Sequence, residues 1–427
     1  MKDKLVAGKF TGNWFPPYDR RYTMKNYKIF PWILGLFFLT VASGQDDGEK
    51  ASKPEGEFEL ELETEYRYFY NDAQFEGQKD HYPSIAFRPE YTLEWNKGYE
   101  SINFTGFLRL DRDDERTHWD IRELYYLKAK GNWELSVGLK KIYWGVAESN
   151  HLVDIINQTD AVETFDGEEK LGQPMVQFSW VTDKVGTFDF FYLPYHRKRT
   201  FAGEAGRLRF GTVINQDDLG YESGAEEWRQ DLAVRWKHYF GIFDLGLSHF
   251  YGNGREPLFT FDAQGNINAF YPVIHQSGLD LQITHGAFLW KLESIYRHAD
   301  AQDFVALVAG LEYTFSNIDG NGLDIGLLGE YLYDERDELA LTALQNDIFF
   351  GSRIAFNDTQ DTSFLLGGIA DLDGSSKIFS LEASRRFGST WTAEIEARIF
   401  TDIEDNELIL SNFRDDSFLR ISISKYF

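Results

Sequence analysis

The sequence has no cysteine and no hydrophobic run long enough for a helical membrane span. With 0 Cys in 427 residues, a disulfide framework, a thiolate metal site and a cysteine nucleophile are excluded. No segment has 18 consecutive apolar residues, which argues against an inner-membrane helical protein. Positive charge is also scarce, because 43 Lys and Arg face 69 Asp and Glu, for a net charge of −26. Such acidity disfavours nucleic acid as a partner.

Aromatic residues, in contrast, are abundant for a chain of low mean hydropathy. The sequence has 37 Phe, 23 Tyr and 11 Trp, while its mean hydropathy is −0.41. A soluble protein would have to bury these rings in a core. A membrane barrel instead places them on its lipid-facing surface and in girdles at the two interfaces.

The first 44 residues predict an export signal. A short basic start at residues 24–28 precedes a mostly apolar stretch at 29–41 and the small residues 42–44. This order is typical of a secretory signal peptide, and we expect cleavage before Gln45. Residues 1–23 are then either an upstream extension beyond the true start or an unusually long basic region. Residues 45–56 form a short polar lead, which we expect in the periplasm.

From residue 57 onward, apolar and polar residues alternate with a period of two, which indicates strands. The clearest runs are residues 57–70, 84–95, 131–144, 289–297, 391–400 and 417–427. Short connections alternate with mostly long ones, as in outer-membrane barrels. A soluble sandwich or propeller would also alternate, but it would not combine these features with an export signal. We therefore predict an all-β fold, a transmembrane antiparallel up-and-down β-barrel over residues 57–427, with about 18 strands and 16 as the alternative.

The last run, residues 417–427, ends in Phe427 and should pair with residues 57–70 to close the barrel. A closing strand with a terminal aromatic residue resembles those of bacterial outer-membrane β-barrels. In that group the aromatic is part of the signal read by the barrel assembly machinery. The resemblance implies the outer membrane of a Gram-negative bacterium as the location, with outer-membrane lipid and the assembly machinery as partners.

Charged residues on the polar faces of the strands should face the lumen, because charges are costly towards lipid. The candidate lumen wall is Arg88, Glu90, Arg109, Arg122, Lys140, Arg235, Glu293 and Arg398. Such residues can form an ion-selective eyelet, or they can be knit together by cross-strand ion pairs. The sequence leaves both interpretations open.

The connection at residues 145–173 is the candidate constriction loop. Its candidate residues are Trp144, Glu148, Asp154, Asn157, Asp160 and Glu163. The last four recur every three residues, which on a short helix would place them along one face. We expect this loop to fold inward and narrow the pore, with an outward solvated loop as the alternative. No cofactor is expected; oxygen ligands leave a calcium ion in this loop as a weak possibility, although their spacing does not match an EF-hand.

Residues 119–163 contain a local pattern that resembles a known family. Gly138, the Trp144-Gly145 pair and the acidic run from Asp154 resemble the uncharacterised outer-membrane proteins of the DUF1302-like family. Leu139-Lys140 and Gln158-Thr159 depart from the usual residues of that pattern. The resemblance implies a porin-like barrel and carries no information about the solute.

No catalytic motif is apparent, and an enzyme is not expected. The chain has no Gly-x-Ser-x-Gly segment and no His-Glu-x-x-His segment. The predicted function is an outer-membrane porin or passive channel for small solutes. The alternatives are a transporter of hydrophobic molecules with a plugged lumen and a structural or adhesive surface barrel.

Overall fold

The structure is a computed structural model, and it describes residues 53–427 except 217–218, 262–266, 338–339, 341 and 343. The predicted upstream extension, the signal peptide and most of the polar lead lie outside the described residues.

Eighteen antiparallel strands form one closed sheet, and three further strands form a small separate sheet. The barrel strands are β1 (Glu55–Phe69), β2 (His81–Trp95), β3 (Glu100–Leu110), β4 (His118–Lys130), β5 (Trp133–Lys140), β6 (Gln173–Thr182), β7 (Gly186–Leu193), β9 (Asp231–Phe240), β10 (Phe243–Asn253), β13 (Val273–His285), β14 (Phe288–Ala299), β15 (Phe304–Ile318), β16 (Leu323–Asp334), β17 (Asn346–Ala355), β18 (Ser363–Asp371), β19 (Lys377–Phe387), β20 (Trp391–Thr401) and β21 (Phe418–Tyr426). The small sheet contains β8 (Gly220–Tyr221), β11 (Leu258–Phe261) and β12 (Ile267–Tyr271).

In the part of the chain that the structure describes, helical structure is confined to short turns. The described residues include 3₁₀ turns at Asn96–Gly98, Glu226–Trp228 and Leu410–Asn412. None of the helices found in this part of the chain has the length and apolar character needed to span a bilayer.

The last strand closes the sheet against the first. Strand β21 pairs antiparallel with β1, with Thr64 opposite Ile423 and Arg67 opposite Arg420. The predicted all-β barrel of 18 strands is confirmed, and the alternative of 16 strands is wrong. Closure leaves the sheet without an unpaired edge, so strand backbone groups find their partners within the sheet.

The connections separate by length onto two rims. Two-residue turns such as Gly131-Asn132 and Gly241-Ile242 lie at one end, which we call the short-turn rim. Gly131 and Gly241 have φ values of 63° and 68°, a conformation that glycine adopts without steric cost. Residues 141–172, 194–230 and 254–272 begin at the other end, the long-loop rim.

Polar residues point into the barrel and apolar residues point out. On β1, Glu61, Glu63 and Glu65 are buried, whereas Phe58 and Tyr66 on the opposite face are 60% and 45% exposed. This arrangement is the reverse of that in a soluble domain. An outer surface of this kind is stable only against hydrocarbon, with polar groups satisfied inside.

Leu365 and Leu366 on β18 provide a matched test of this orientation. Leu366 faces outward and is 42% exposed, whereas Leu365 lines the interior cavity. We predict that Leu366→Arg lowers the free energy of unfolding in lipid by about 2–4 kcal/mol, because it places a charge against hydrocarbon near mid-strand. Leu365→Arg should cost clearly less, since its charge enters the polar interior. Denaturant unfolding of both variants in bilayers measures the difference; equal losses would contradict the assignment of the two faces.

Candidate functional site: a segment folded into the barrel

Residues 141–172, which we call the inward segment, leave β5 and cross the lumen to the opposite wall. Glu293 on β14 accepts hydrogen bonds from the backbone N–H groups of Val146 at 2.6 Å and Ala147 at 2.8 Å. Glu330 on β16 accepts from the N–H groups of Glu148 and Ser149, both at 2.8 Å. Strand β16 lies eight positions from β5 in the 18-strand order, so the segment spans almost the full width of the barrel.

The predicted helix through Asp154 and Glu163 is absent; this part of the chain consists of turns and extended residues. The prediction used only local spacing. In the fold, backbone donors that a helix would satisfy find partners on the wall, as when Val153 N–H donates to Glu293 Oε2 at 3.1 Å. Removing the helix also removes the shared face, and the four residues spaced by three point to different partners.

Asn157 ties the two ends of the inward segment together. Its Oδ1 accepts from Ile142 N–H, and its Nδ2 donates to the carbonyl oxygens of Lys140 and Leu171, all at 2.9 Å. The side chain is 2% exposed, so these contacts are shielded from water. They also explain why the strand predicted to reach Trp144 ends at Lys140: the chain turns inward there.

Asp160 and Glu163 join the inward segment to a buried charged wall. Arg122 on β4 donates to Asp160 at 2.5 Å, and Thr200 Oγ1 donates to its other oxygen at 2.6 Å. Arg116 donates to Glu163 at 3.2 Å, and Arg109 Nε lies 3.8 Å from the same carboxylate. The segment therefore docks through ion pairs that are almost fully buried.

Trp144, Glu148 and Asp154 all line the interior cavity. Glu148 accepts from Arg353 on β17 at 2.5 Å, and Asp154 lies 3.6 Å from Lys170 Nζ. Trp144 is 7% exposed and forms an edge-to-face contact with Phe191 at 5.6 Å. The guanidinium of Arg235 lies 4.9 Å from the centre of the Trp144 ring.

The residues proposed for the lumen wall lie on the inward face of their strands. These are Arg88, Glu90, Arg109, Arg122, Lys140, Arg235, Glu293 and Arg398. Many are engaged by protein partners: Arg88 donates to Glu61 at 2.8 Å, Arg235 to Asp280 at 2.8 Å, and Lys140 to Gln177 at 2.9 Å. Arg398 contacts both Asp166 of the inward segment and Glu382 on β19. The wall is thus a lattice of ion pairs and hydrogen bonds.

Beside the inward segment lies a cavity of about 1390 Å³. Its lining runs from short-turn residues such as Gly286 and Asn317 to long-loop residues such as Phe210 and Ile409. Ten carboxyl groups, six Lys or Arg side chains and His151 line it, an excess of three negative charges when all are ionised. The acidic residues are Glu148, Asp154, Glu163, Asp166, Glu168, Glu169, Glu312, Asp324, Glu382 and Glu396; the basic residues are Arg199, Arg209, Lys291, Arg353, Arg398 and Arg420.

An aromatic chamber forms the part of the cavity nearest the long-loop rim. The ring centre of Phe259 lies 5.0 Å from that of Phe210 and 6.0 Å from that of Phe201. The ring centres of Phe165 and Phe413 are 5.6 Å apart. The sequence analysis missed this chamber, because its rings come from several connections at the long-loop rim that are far apart in the sequence. No periodic signal could have found it.

Two arginines at the chamber were also missed. Arg209 donates to the carbonyl oxygens of Phe210 at 2.8 Å and Glu76 at 3.0 Å. Burial lowers the pKa of Arg199, and Tyr271 and Glu256 only partly offset that effect. Both side chains lie in loop residues without strand periodicity, so the sequence offered no sign that they would face the cavity.

His151 is a clasp between the inward segment and the wall. Its Nε2 lies 3.1 Å from Glu168 and its Nδ1 lies 3.7 Å from Glu293. Burial alone would lower the pKa of His151, but the two carboxylates outweigh it and raise the pKa well above its ordinary value. The imidazolium therefore bridges two carboxylates at neutral pH.

The candidate calcium ligands do not gather around one point. Asp154, Asp160 and Glu163 each face a different cation of the chain. Across the described part of the chain, no three His, Asp or Glu side chains converge as a ready metal site.

The fold is that of porin-like outer-membrane barrels. A BenF-like porin from Pseudomonas fluorescens Pf-5 has a TM-score of 0.53 at 10% identity, covering 88% of this chain and 98% of its own. OccK2 (OpdF) of Pseudomonas aeruginosa, solved in complex with glucuronate, has a TM-score of 0.53 at 12% identity, covering 87% and 98%. Wzi of Escherichia coli, a carbohydrate-binding β-barrel involved in group 1 capsule assembly, has 0.51 at 11% identity, covering 86% and 83%.

These likenesses confirm the porin-like barrel at the level of fold. No family model matches the sequence, and no curated protein matches it significantly. The narrower resemblance to the DUF1302-like family therefore stays a prediction.

The Arg122–Asp160 pair tests how the inward segment is held. We predict that Asp160→Asn destabilises the docking of the inward segment by about 1–3 kcal/mol, because buried Arg122 loses its closer carboxylate partner and keeps only Asp120, 3.5 Å away. Amide hydrogen exchange over residues 141–172 should accelerate while the strands stay protected. Asp402→Asn, at a pair with Lys377 whose side chains are 57% and 40% exposed, is the matched control and should change little. Unchanged exchange in Asp160→Asn would show that this pair does not hold the segment.

Proposed function

We propose that the protein is an outer-membrane channel that admits small solutes by passive diffusion, with the inward segment as its constriction. The observation that carries the proposal is the cavity of about 1390 Å³ between the inward segment and the barrel wall. A wall of charged side chains beside such a space favours a hydrated path over a packed core. The porin-like neighbours support the same function, and no feature of the cavity calls for catalysis.

The outer membrane as location follows from the exposed apolar exterior and from the barrel fold. On this assignment the long-loop rim faces the outside and the short-turn rim faces the periplasm. Phe427 remains the proposed assembly signal; it extends beyond β21, is 66% exposed, and exchanges backbone hydrogen bonds with Leu60. Export by the signal peptide and contact with the assembly machinery stay predictions.

A preference for small cations is the selectivity that the cavity charges support. The basic groups in the middle of the cavity are paired, as Arg353 is with Glu148 and Arg398 with Glu382. In the lining, ten carboxyl groups still outnumber seven cationic groups, which favours cations over anions.

The aromatic chamber supports a second candidate function, transport of amphipathic or hydrophobic molecules. Phe201, Phe210 and Phe259 form an apolar surface next to the guanidinium groups of Arg199 and Arg209. Apolar walls with a few polar groups are typical of ligand-binding cavities rather than of purely aqueous pores. This second function requires the same barrel and differs only in the molecule that is transported.

Conductance of the purified protein in a planar bilayer tests the channel. We expect discrete ohmic steps with a reversal potential that favours K⁺ over Cl⁻ in a salt gradient. Asn157→Ala should raise or destabilise the conductance, because it releases the two ends of the inward segment. Asn321→Ala in the short turn at residues 319–322 is the matched control and should conduct like the wild type.

A folded protein that never conducts would overturn the open channel. Saturable binding of an amphipathic fluorescent probe by that silent protein, weakened in Phe259→Ala, would then support the second candidate. Unaltered steps in Asn157→Ala would sink the constriction role of the inward segment while leaving the channel itself in place.

The His151 clasp predicts a pH dependence. Because its folded-state pKa is raised, the stabilisation by His151 is present below its ordinary pKa and is lost as the pH rises through the higher folded value. The charged groups that interact with the ring are Glu168, Glu293, Glu148 and Asp154, and Lys170 lies 3.6 Å from Asp154.

We therefore expect single-channel current to be steady near neutral pH and to become larger or noisier in alkaline solution. His151→Ala should show the alkaline behaviour already at neutral pH. His285→Ala, on the outer face at the short-turn rim, is the control and should keep the wild-type profile. An identical profile in His151→Ala would exclude the clasp as the titrating group.

A further inference from the structure

Three histidines lie side by side on the outer face of the barrel near the long-loop rim. They are His249 on β10, His275 on β13 and His298 on β14, and we call them the histidine row. His275 stands directly opposite His298, and His249 stands opposite Ser277, two residues from His275. The row is exposed and lies outside the lumen, so the proposed channel does not use it.

At this height an outer-membrane barrel usually carries aromatic girdle residues. Tyr251 and Tyr296 occupy such positions beside the row. The three imidazoles interrupt the girdle on three neighbouring strands. Imidazole nitrogens lose hydrogen bonds to water when they lie against hydrocarbon. We therefore expect these nitrogens to have polar partners.

Neighbouring side chains orient the imidazole rings. His249 Nδ1 shares a hydrogen bond with Ser277 Oγ at 2.9 Å. His298 Nδ1 lies 2.5 Å from Asp303 Oδ1, and Tyr296 donates to the other oxygen of Asp303 at 3.1 Å.

These contacts leave the Nε2 atoms of His249 and His298 facing outward from their orienting partners. A carboxylate or hydroxyl on one ring nitrogen, with the other nitrogen available, is the usual outer-shell arrangement around a metal-bound histidine. His275 is fixed differently: its ring stacks on Tyr251 at 4.2 Å with 16° between the planes.

Two of the ligand atoms already have the spacing that a metal requires. His249 Nε2 and His275 Nδ1 are 3.5 Å apart. Two imidazole nitrogens bound to one tetrahedral zinc at about 2.0–2.1 Å would be about 3.4 Å apart. The ring centres of His275 and His298 are 6.3 Å apart, only slightly more than the 5.7 Å between His249 and His275.

The third ligand needs a side-chain rotation, because no three such groups converge in the described residues. The His298 side chain is 50% exposed. Binding through a third imidazole therefore requires the His298 side chain to change its torsion angles. Asp303 is equally exposed and can move with it.

We propose that the histidine row binds a divalent transition-metal ion of the zinc type, with His249, His275 and His298 as ligands and Asp303 and Ser277 as orienting residues. Neutral imidazoles with carboxylate support suit Zn²⁺ or Cu²⁺, whereas an anion such as a lipid phosphate is disfavoured by Asp303. The bound ion joins β10, β13 and β14 from outside the barrel. It acts apart from the channel, so loss of one leaves the other intact.

Equilibrium dialysis of the folded, tag-free protein in detergent against Zn²⁺ tests the proposal. We expect one zinc per barrel, lost in His275→Ala and weakened about 10–100-fold in Asp303→Asn, as for other residues that orient a metal ligand. His285→Ala is the matched control, since it lies on the same strand and outer face at the opposite rim. It should bind like the wild type.

Cu²⁺ electron paramagnetic resonance is an independent test, because it detects imidazole nitrogens bound to the metal. Histidines that only support the fold would not give this signal. Nitrogen hyperfine coupling from two or three imidazoles is expected, and it should disappear in His275→Ala. Mobility on unheated gels shows that each variant is folded. The site would be overturned if the wild type bound no stoichiometric zinc, or if His275→Ala bound zinc equally well. Binding of inorganic phosphate without binding of zinc would overturn it too.

Discussion

Two glutamates of the barrel wall hold the inward segment across the lumen, and the shape of the interior depends on them. Glu293 and Glu330 accept hydrogen bonds from five backbone N–H groups, those of Val146, Ala147, Val153, Glu148 and Ser149. Charge-assisted bonds of this type are stronger than neutral ones. The segment can therefore remain irregular inside a barrel, because its backbone donors are satisfied by the wall rather than by a helix of its own. Without this anchorage the lumen would lose the boundary that shapes its cavity.

The lipid outside explains why so much charge lies inside. Hydrocarbon rejects charged side chains, so the polar face of each strand points inward and collects carboxylates and guanidinium groups in close array. Buried ion pairs of this kind add little net stability, but breaking one leaves a costly unpaired charge. The Arg109, Arg116 and Arg122 pairs with Glu163 and Asp160 therefore fix where the inward segment lies more than they stabilise the barrel.

The fold could be predicted because the alternation of polar and apolar residues in each strand shows which face points into the barrel. Alternation at Glu61, Glu63 and Glu65 identifies the inward face from the sequence alone, and the same parity places Arg88 and Arg398 inside. The inward segment has no such local rule. Asp160 finds Arg122 at a separation of 38 residues, and Glu148 finds Arg353 at a separation of 205. The three-residue spacing that predicted a helix described only neighbours in sequence, whereas the deciding partners came from distant strands. The aromatic chamber was unpredictable for the same reason.

The ion-pair lattice also divides the cavity into two chemically different parts. In the middle, Arg353 and Arg398 form ion pairs with Glu148, Asp166 and Glu382, so each cationic group there lies against a carboxylate. Near the long-loop rim, the cationic groups Arg199 and Arg209 lie among aromatic rings, and Arg209 contacts backbone carbonyls instead of carboxylates. On the proposed channel function, a solute entering from that rim would meet apolar surface with positive charge before it reached the inward segment. Passage through both parts favours a small molecule whose apolar and charged groups are separated over one that is uniformly charged, because only the former gains from each environment in turn.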